Sequence, residues 1–163
     1  MTLAALNSLN FPDFVATLGW IFEDSPWVAG LAFSERPFGD LDALHSAMCG
    51  VVRQASRQEQ IALLRAHPDL GTKARISDAS QGEQAGAGLD CLTPHEFDRL
   101  SRLNATYRDR FGIPFLFAVK GSTKHEILRA LEHRIESSPE AEFREALRQV
   151  ERIARFRLEA ALM

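Results

Sequence analysis

His67 is the side chain in this sequence whose type and position best suit proton transfer near neutral pH. It stands where a predicted helix must end, because Pro68 disfavours helical conformation in the residue before it. His67 can therefore act as a general acid or base. It can equally interact with the last carbonyl groups of that helix, where the helix dipole favours a cation. Spacing alone leaves both interpretations open.

A second candidate, Glu83, ends the segment Ser80–Glu83, which has the S-x-x-E form of a capping box. In that interpretation the segment opens a helix toward Ala85–Leu89. The same helix start would present free N–H groups that suit an anionic substrate. The pattern does not decide the role of Gln84.

Metal and cysteine chemistry have less support. His67, Asp69 and Glu83 could ligate a metal, as in a metal-dependent hydrolase, but their spacing matches no established ligand motif. Cys49 and Cys91 are far apart and form no CxxC pair, which argues against a disulfide scaffold, a zinc ribbon and a dithiol redox centre. The sequence also lacks a P-loop and the GxGxxG and GxSxG motifs.

The elements that must position these residues are predominantly helical. Apolar residues recur at three- and four-residue spacing, with helices predicted near residues 41–55, 58–67, 93–111, 123–135 and 138–158 and shorter ones at 11–19 and 26–33. Thr93 and Thr123 each begin a capping box, Gly112 ends a helix, and Ser138 opens the last one. Arginines of the last helix interleave with acidic residues and predict a solvated face: Arg144, Arg148, Arg152, Arg155 and Arg157.

Two segments break the helical pattern. Ala66–Asp90 is rich in glycine and poor in large apolar residues, and long loops inside a compact domain are usually functional or disordered. Gly112–Gly121 has a short apolar centre and is predicted to be extended, so its peptide groups need partners from outside the segment. The predicted fold is all-α: a helical bundle of one domain, residues 1–163, with a long irregular loop and one short extended segment.

Composition and charge argue against nucleic-acid-binding and membrane proteins. The chain has 163 residues and a net charge of −3, which excludes the strongly basic surface that non-specific nucleic-acid binding needs. No apolar run has the length of a membrane span, and the N-terminal residues lack the basic start of a signal peptide. These features predict a cytoplasmic protein that binds neither nucleic acid nor membrane.

Three motifs in order resemble one family: His67-Pro68-Asp69-Leu70, then Ser80-x-x-Glu83-Gln84 with Ala87-Gly88-Leu89, then Leu103-Asn104-x-x-Tyr107-Arg108-x-Arg110-Phe111-Gly112-x-Pro114-Phe115. The sequence resembles the 2-oxo-4-hydroxy-4-carboxy-5-ureidoimidazoline (OHCU) decarboxylases, which act at the last step from urate to (S)-allantoin. The resemblance covers nearly the whole chain. It implies an all-α homodimer that needs no metal or organic cofactor and acts on a small molecule.

The resemblance also assigns roles to residues. It implies that His67 is the catalytic acid or base and that a larger set binds substrate: Pro68, Ser80, Gln81, Gly82, Glu83, Gln84, Phe115, Leu116, Phe117, Ala118 and Val119. This set falls in the two segments that break the helical pattern. We hypothesise that Glu83 assists catalysis by hydrogen-bonding the substrate or by orienting the imidazole. The alternatives are a non-catalytic helical module that binds a partner through the irregular loop, and the metal-dependent hydrolase described above.

Overall fold

The computed structural model describes residues 1–71 and 78–162, and every regular element in these residues is helical. The predicted all-α class is therefore confirmed. Residues 72–77, which belong to the predicted irregular loop, lie outside the described residues. The helices are α1 (Leu3–Asn7), α2 (Phe11–Leu18), α3 (Trp27–Ala32) followed by a 3-10 turn (Phe33–Glu35), α4 (Leu41–Gln54), α5 (Arg57–Arg65), α6 (Asp78–Gly86), α7 (Pro94–Phe111), α8 (Lys124–Ile135) and α9 (Pro139–Ala161).

The predicted start and stop signals act where they were expected. Thr93 accepts the N–H of Glu96, whose carboxylate accepts the N–H of Thr93 in return, so both bonds of the capping box are present at α7. Gly112 ends the same helix with φ 70°, in the left-handed region that favours glycine. Thr123 caps α8 by accepting the N–H of Glu126, but the Glu126 carboxylate accepts from the Thr123 hydroxyl and not from its N–H, so only the first bond of the predicted capping box forms there. Ser138 accepts the N–H of Ala141 at α9.

The chain forms two compact units. The first contains residues 1–66 together with the chain from Val150 onward, and the second contains His67–Gln149. Helix α9 therefore begins in the second unit and continues into the first. Every candidate site residue predicted from the sequence belongs to the second unit.

In the first unit, α3 packs against α2 and α4. Its core is apolar and includes Phe14, Leu18, Phe22, Val28, Leu44, Met48, Val52, Ala154 and Leu158. One predicted feature of α9 is wrong here, because Arg157 is buried rather than solvated. Its guanidinium donates to the Glu23 carboxylate at 2.8 Å. Arg157 lies three residues after Ala154 and seven after Val150, both buried, and this spacing places it on the inner face of the helix.

In the second unit, α7 packs against α8, and ion pairs such as Lys124–Glu96 connect the two helices. Helix α6 begins at Asp78, three residues before Gln81, the first helical residue that a Ser80 cap predicts. Ser80 is therefore the third residue of the helix and not its cap. Asp78 places a carboxylate in the first turn, where the helix dipole favours it, and α6 ends at Gly86, before the left-handed Gly88.

No helix in the two described stretches of the chain has both the length and the apolar character needed to cross a membrane.

Candidate active site

His67 lies just beyond α5, in a non-helical turn that runs from His67 to Gly71. The α5 helix ends at Arg65, in agreement with the restriction that Pro68 places on the residue before it. Only 6% of the His67 side chain and backbone surface is exposed, and its Nε2 atom is shielded from solvent. The surroundings of the imidazole are therefore set by the protein, as a general acid or base requires.

Helix α7 holds this turn from one side. The Asn104 carboxamide donates a hydrogen bond of 2.9 Å to the Leu70 carbonyl, and both groups are buried. One helical turn further along, the Arg108 guanidinium donates to the Asp69 carboxylate at 2.9 Å. Because side chains four residues apart share one face of a helix, α7 fixes two successive residues of the turn that follows His67.

Gly71 closes the turn and connects it to α6. Its φ of +71° is in the left-handed region, and a Cβ atom there would lie 2.5 Å from Cδ2 of Leu100 on α7. The Gly71 N–H donates to Oε1 of Gln84 at 2.8 Å. Gln84, which the resemblance assigned to substrate binding, therefore also anchors α6 to the turn that carries His67.

Helix α6 divides the residues predicted to bind substrate between two environments. Ser80 and Gln84 are buried and lie four residues apart on one face of the helix. Glu83 is half-buried, whereas Gln81 and Gly82 are exposed. The buried pair faces the interior of the unit, so only Glu83 combines partial exposure with an ionisable group.

The second predicted segment is neither helix nor strand over residues 113–119. Among the residues of this segment predicted to bind substrate, only Phe117 is half-buried, and its neighbours Phe115, Leu116, Ala118 and Val119 are buried. The rings of Phe115 and Phe117 are stacked with centroids 5.9 Å apart. Side chains two residues apart share one side of an extended chain, so the stacking agrees with the predicted extended conformation.

Two backbone groups of this segment are bonded to side chains on helices. The Leu116 carbonyl accepts a hydrogen bond from Arg134 of α8, at 2.5 Å. The Ala118 N–H donates to Oε1 of Gln149 on α9, at 2.9 Å. The Phe115 ring also makes an edge contact with Tyr107 of α7, at 5.4 Å between centroids. Helix α7 thus contacts both predicted site segments, the turn at Leu70 and the extended segment at Phe115.

Tyr107, Arg134 and Glu142 form a buried polar cluster that sequence reasoning did not assign to the site. The Tyr107 hydroxyl donates to Oε1 of Glu142 at 2.6 Å, and Arg134 Nε donates to the same oxygen at 2.6 Å. Burial and, next, the hydrogen bond to Glu142 raise the pKa of Tyr107 above its usual range, so the phenol is a neutral donor. The burial of Arg134 could have been inferred from its position in line with the apolar residues of its helix. Asn104 lies in the same way between Leu100 and Tyr107.

The alternative of a metal site finds no geometric support in the described residues. No group of three or more His, Cys, Asp or Glu side chains there is arranged to hold a metal ion, so His67, Asp69 and Glu83 do not form the ligand set that this alternative requires. Asp69 is instead paired with Arg108.

Comparisons with known proteins identify the family of the chain. The family model described as OHCU decarboxylase matches residues 7–159. The 2-oxo-4-hydroxy-4-carboxy-5-ureidoimidazoline decarboxylase of Haloferax volcanii is 49% identical over 97% of this chain and 94% of its own length. The uric acid degradation bifunctional protein of Bacillus subtilis is 47% identical over 96% of this chain, which spans 32% of that protein.

A solved structure agrees with these matches. The crystal structure of (S)-allantoin synthase superposes with a TM-score of 0.80 at 34% identity, over 99% of this chain and 54% of that one. The matched proteins are named as enzymes, which favours catalysis over the non-catalytic binding module. The order of the three motifs, the helical fold and these comparisons lead to one conclusion: the chain belongs to the OHCU decarboxylase family.

Proposed function

We propose that this chain decarboxylates OHCU to (S)-allantoin with His67 as the acid or base and Glu83 assisting. Its family membership makes it a carboxy-lyase of urate degradation. The observation that carries the residue assignment is the construction of the turn after His67. Contacts from Asn104, Arg108 and Gln84 fix that turn while the imidazole itself is buried.

The substrate can supply its own electron sink. When the C4 carboxylate leaves as CO2, the electron pair of the broken bond forms a C4–C5 double bond and the ring imine nitrogen accepts the displaced pair. A proton then adds to C5, and the enol at C4 becomes a carbonyl. The protein must orient the ring, stabilise the developing negative charge and deliver the proton to one face. No metal or organic cofactor is required by this electron balance.

The role of His67 in moving that proton is supported by its fixed position within the protein and by the suitability of imidazole as a general acid or base. Glu83 orients the imidazole or accepts a hydrogen bond from the substrate. Delivery from one fixed side yields one enantiomer of the product.

The remaining candidate residues hold the substrate. Pro68 fixes the direction of the turn, and Ser80, Gln81, Gly82 and Gln84 present α6 to the ligand. Of the amides in Phe115–Val119, the N–H of Ala118 is already bonded to Gln149. The N–H groups of Phe115, Phe117 and Val119 donate to no other atom of the described residues and suit the ring and ureido carbonyl groups of OHCU.

The activity is tested by forming OHCU in situ from urate with urate oxidase and hydroxyisourate hydrolase, and by following circular dichroism as allantoin appears. The wild-type chain should accumulate one enantiomer rapidly. His67→Asn should lower kcat by at least about a hundredfold. His95→Asn is the matched control, since His95 is an exposed histidine on α7, and its activity should equal that of wild type.

Slow racemic product, formed no faster than without protein, would contradict the substrate assignment. An active His67→Asn variant would contradict the role of His67 alone. For Glu83, the pH–rate profile and the solvent isotope effect of Glu83→Gln should both differ from those of wild type. Glu136→Gln, an exposed glutamate at the end of α8, is the control that should leave them unchanged.

We further propose that residues 1–163 act as one domain and that two chains form a cytoplasmic homodimer. The single-domain proposal is supported by the family model, whose match extends across both compact units. Light scattering coupled to gel filtration tests the dimer, since a monomer at micromolar concentration would contradict it.

A further inference from the structure

The buried cluster of Tyr107, Arg134 and Glu142 comes from three different helices, α7, α8 and α9. Their exposed fractions are 0%, 8% and 1%. Oε1 of Glu142 receives hydrogen bonds from both Tyr107 and Arg134. A single carboxylate oxygen therefore orients the guanidinium and the phenol together.

Arg134 directs the rest of its side chain at the extended segment. Its Nη1 atom donates to the Leu116 carbonyl at 2.5 Å, and its Cζ atom lies 4.5 Å from the centroid of the Phe115 ring. The planar guanidinium thus contacts Glu142, a backbone oxygen and an aromatic face at the same time. A lysine, with a single point charge, cannot reproduce these three contacts.

Stability does not explain this arrangement. Removing a guanidinium and a carboxylate from water is costly, and replacing a buried ion pair by apolar residues of similar volume is often neutral or stabilising. An apolar cluster offers no hydrogen-bond donor and so could not orient the Leu116 carbonyl. The polar contacts therefore fix the direction of this backbone group, which apolar packing would not do.

The extended segment is held at a second backbone group, the Ala118 N–H, which donates to Gln149. Backbone groups of an extended chain alternate in direction from one residue to the next. Leu116 is bonded to Arg134 and Ala118 to Gln149, so the even-numbered residues face the helices. The amides of Phe117 and Val119 then point the other way, and neither donates to another atom of the described residues.

We propose that Arg134, held by Glu142 and Tyr107, is a positioning residue that orients the Phe117 and Val119 amides toward the substrate. This inference rests on the proposed function, because it assumes that the segment binds OHCU. The amides contact groups that substrate and transition state share, so their misplacement weakens both states alike. Loss of the cluster should therefore raise KM more than it lowers kcat.

The test is a triple variant with an apolar cluster, Tyr107→Phe, Arg134→Met and Glu142→Leu, measured in the OHCU assay. We expect an unfolding midpoint no lower than that of wild type. We also expect KM to rise at least about tenfold and kcat to change less than about threefold. Arg129→Met is the matched control, because Arg129 is exposed on the same helix, and its kinetic constants should not change.

A single variant keeps the test decisive if the triple variant does not fold. Arg134→Lys retains the charge and should raise KM, although less than the triple substitution. A folded triple variant or an Arg134→Lys variant with wild-type KM would overturn the inference while the wild-type activity upholds the proposed function. A wild-type chain without activity would instead overturn the proposed function, and this inference with it.

Discussion

The Asn104 carboxamide donates a 2.9 Å hydrogen bond to the Leu70 carbonyl, three residues beyond His67. Asn104 is 7% exposed, and its Oδ1 atom is buried without a hydrogen-bond partner in the described residues. The amide nitrogen is therefore the half of the side chain that secures the turn.

This geometry predicts the effect of Asn104→Asp. The substitution replaces the donor by a carboxylate that repels the Leu70 carbonyl and is itself buried. We expect a loss of at least about 2 kcal/mol in the free energy of unfolding and a fall in kcat/KM of at least about tenfold. Urea denaturation and the allantoin assay measure the two quantities.

The control for Asn104→Asp is Ala105→Asp, which adds the same charge to the exposed face of α7. It should cost no more than about 0.7 kcal/mol, the difference in helix propensity. Equal effects of the two substitutions would show that the contact with Leu70 does not matter.

Gly71→Ala should damage the same turn by another route. Its Cβ would lie 2.5 Å from Leu100 Cδ2, and alanine is strained at φ +71°. We expect a loss of about 1 to 3 kcal/mol in the free energy of unfolding, with a lower kcat because the turn carrying His67 must shift.

Gly86→Ala on α6 is the matched control for Gly71→Ala. A Cβ at position 86 meets nothing within 4 Å. Because alanine is the better helix former, Gly86→Ala should be neutral or stabilising by up to about 1 kcal/mol. Thermal unfolding of the two variants compares them directly, and a Gly71→Ala variant as stable as wild type would refute the prediction.

The features that sequence reasoning predicted correctly are specified by residues close together in the chain. Thr93 and Glu96 form their capping box within one turn, and Pro68 ends α5 through its immediate neighbour. The start of α6 was placed too late because the S-x-x-E pattern also occurs inside helices. Distinguishing the two cases requires knowledge of what Ser80 packs against, which the local pattern does not contain.

Buried polar residues were missed because their partners are remote. Asn104 bonds to Leu70, which is 34 residues away, and Arg157 bonds to Glu23, which is 134 residues away. On a helical wheel each occupies an apolar stripe, but polar residues at the edge of such a stripe are usually solvated. The extended segment was recognised from its Gly and Pro residues, whereas the Arg134 contact that orients it depends on the packing of other helices.

The two cysteines should differ sharply in reactivity. Burial, and next the charge of Glu151, raise the pKa of the Cys49 thiol to about 12. At pH 8 only about one Cys49 in 10⁴ is then a thiolate, the reactive form. Cys91 is exposed, although the hydrogen bond and the charge of Asp90 raise the pKa of its thiol.

Ellman's reagent should therefore titrate one thiol per folded chain and two in denaturant. Cys91→Ser should abolish the reaction of the folded chain, and Cys49→Ser should leave it unchanged. Rapid reaction of two thiols in the native protein would mean that Cys49 is not buried as described.

Acid should weaken the connection between α7 and α8 through Glu96. Hydrogen bonds, first from Lys124 and next from the Thr93 backbone, lower the pKa of Glu96 from 4.5 to about 2. Lys124 Nζ also donates to the Cys91 carbonyl at 3.2 Å, so the pair joins the segment before α7 to the start of α8.

The sign of the pH dependence follows from that lowered pKa. The unfolded chain binds a proton at Glu96 more readily than the folded chain does, so the contribution of Glu96 to stability is complete above pH 4.5 and is lost as the pH falls toward 2. The difference in unfolding midpoint between wild type and Glu96→Gln should therefore be constant near neutrality and shrink steadily over this range. Glu136→Gln, which changes an exposed glutamate at the end of α8, should show no such trend. A Glu96 difference that persists unchanged to pH 2 would mean that its ion pair with Lys124 does not stabilise the fold.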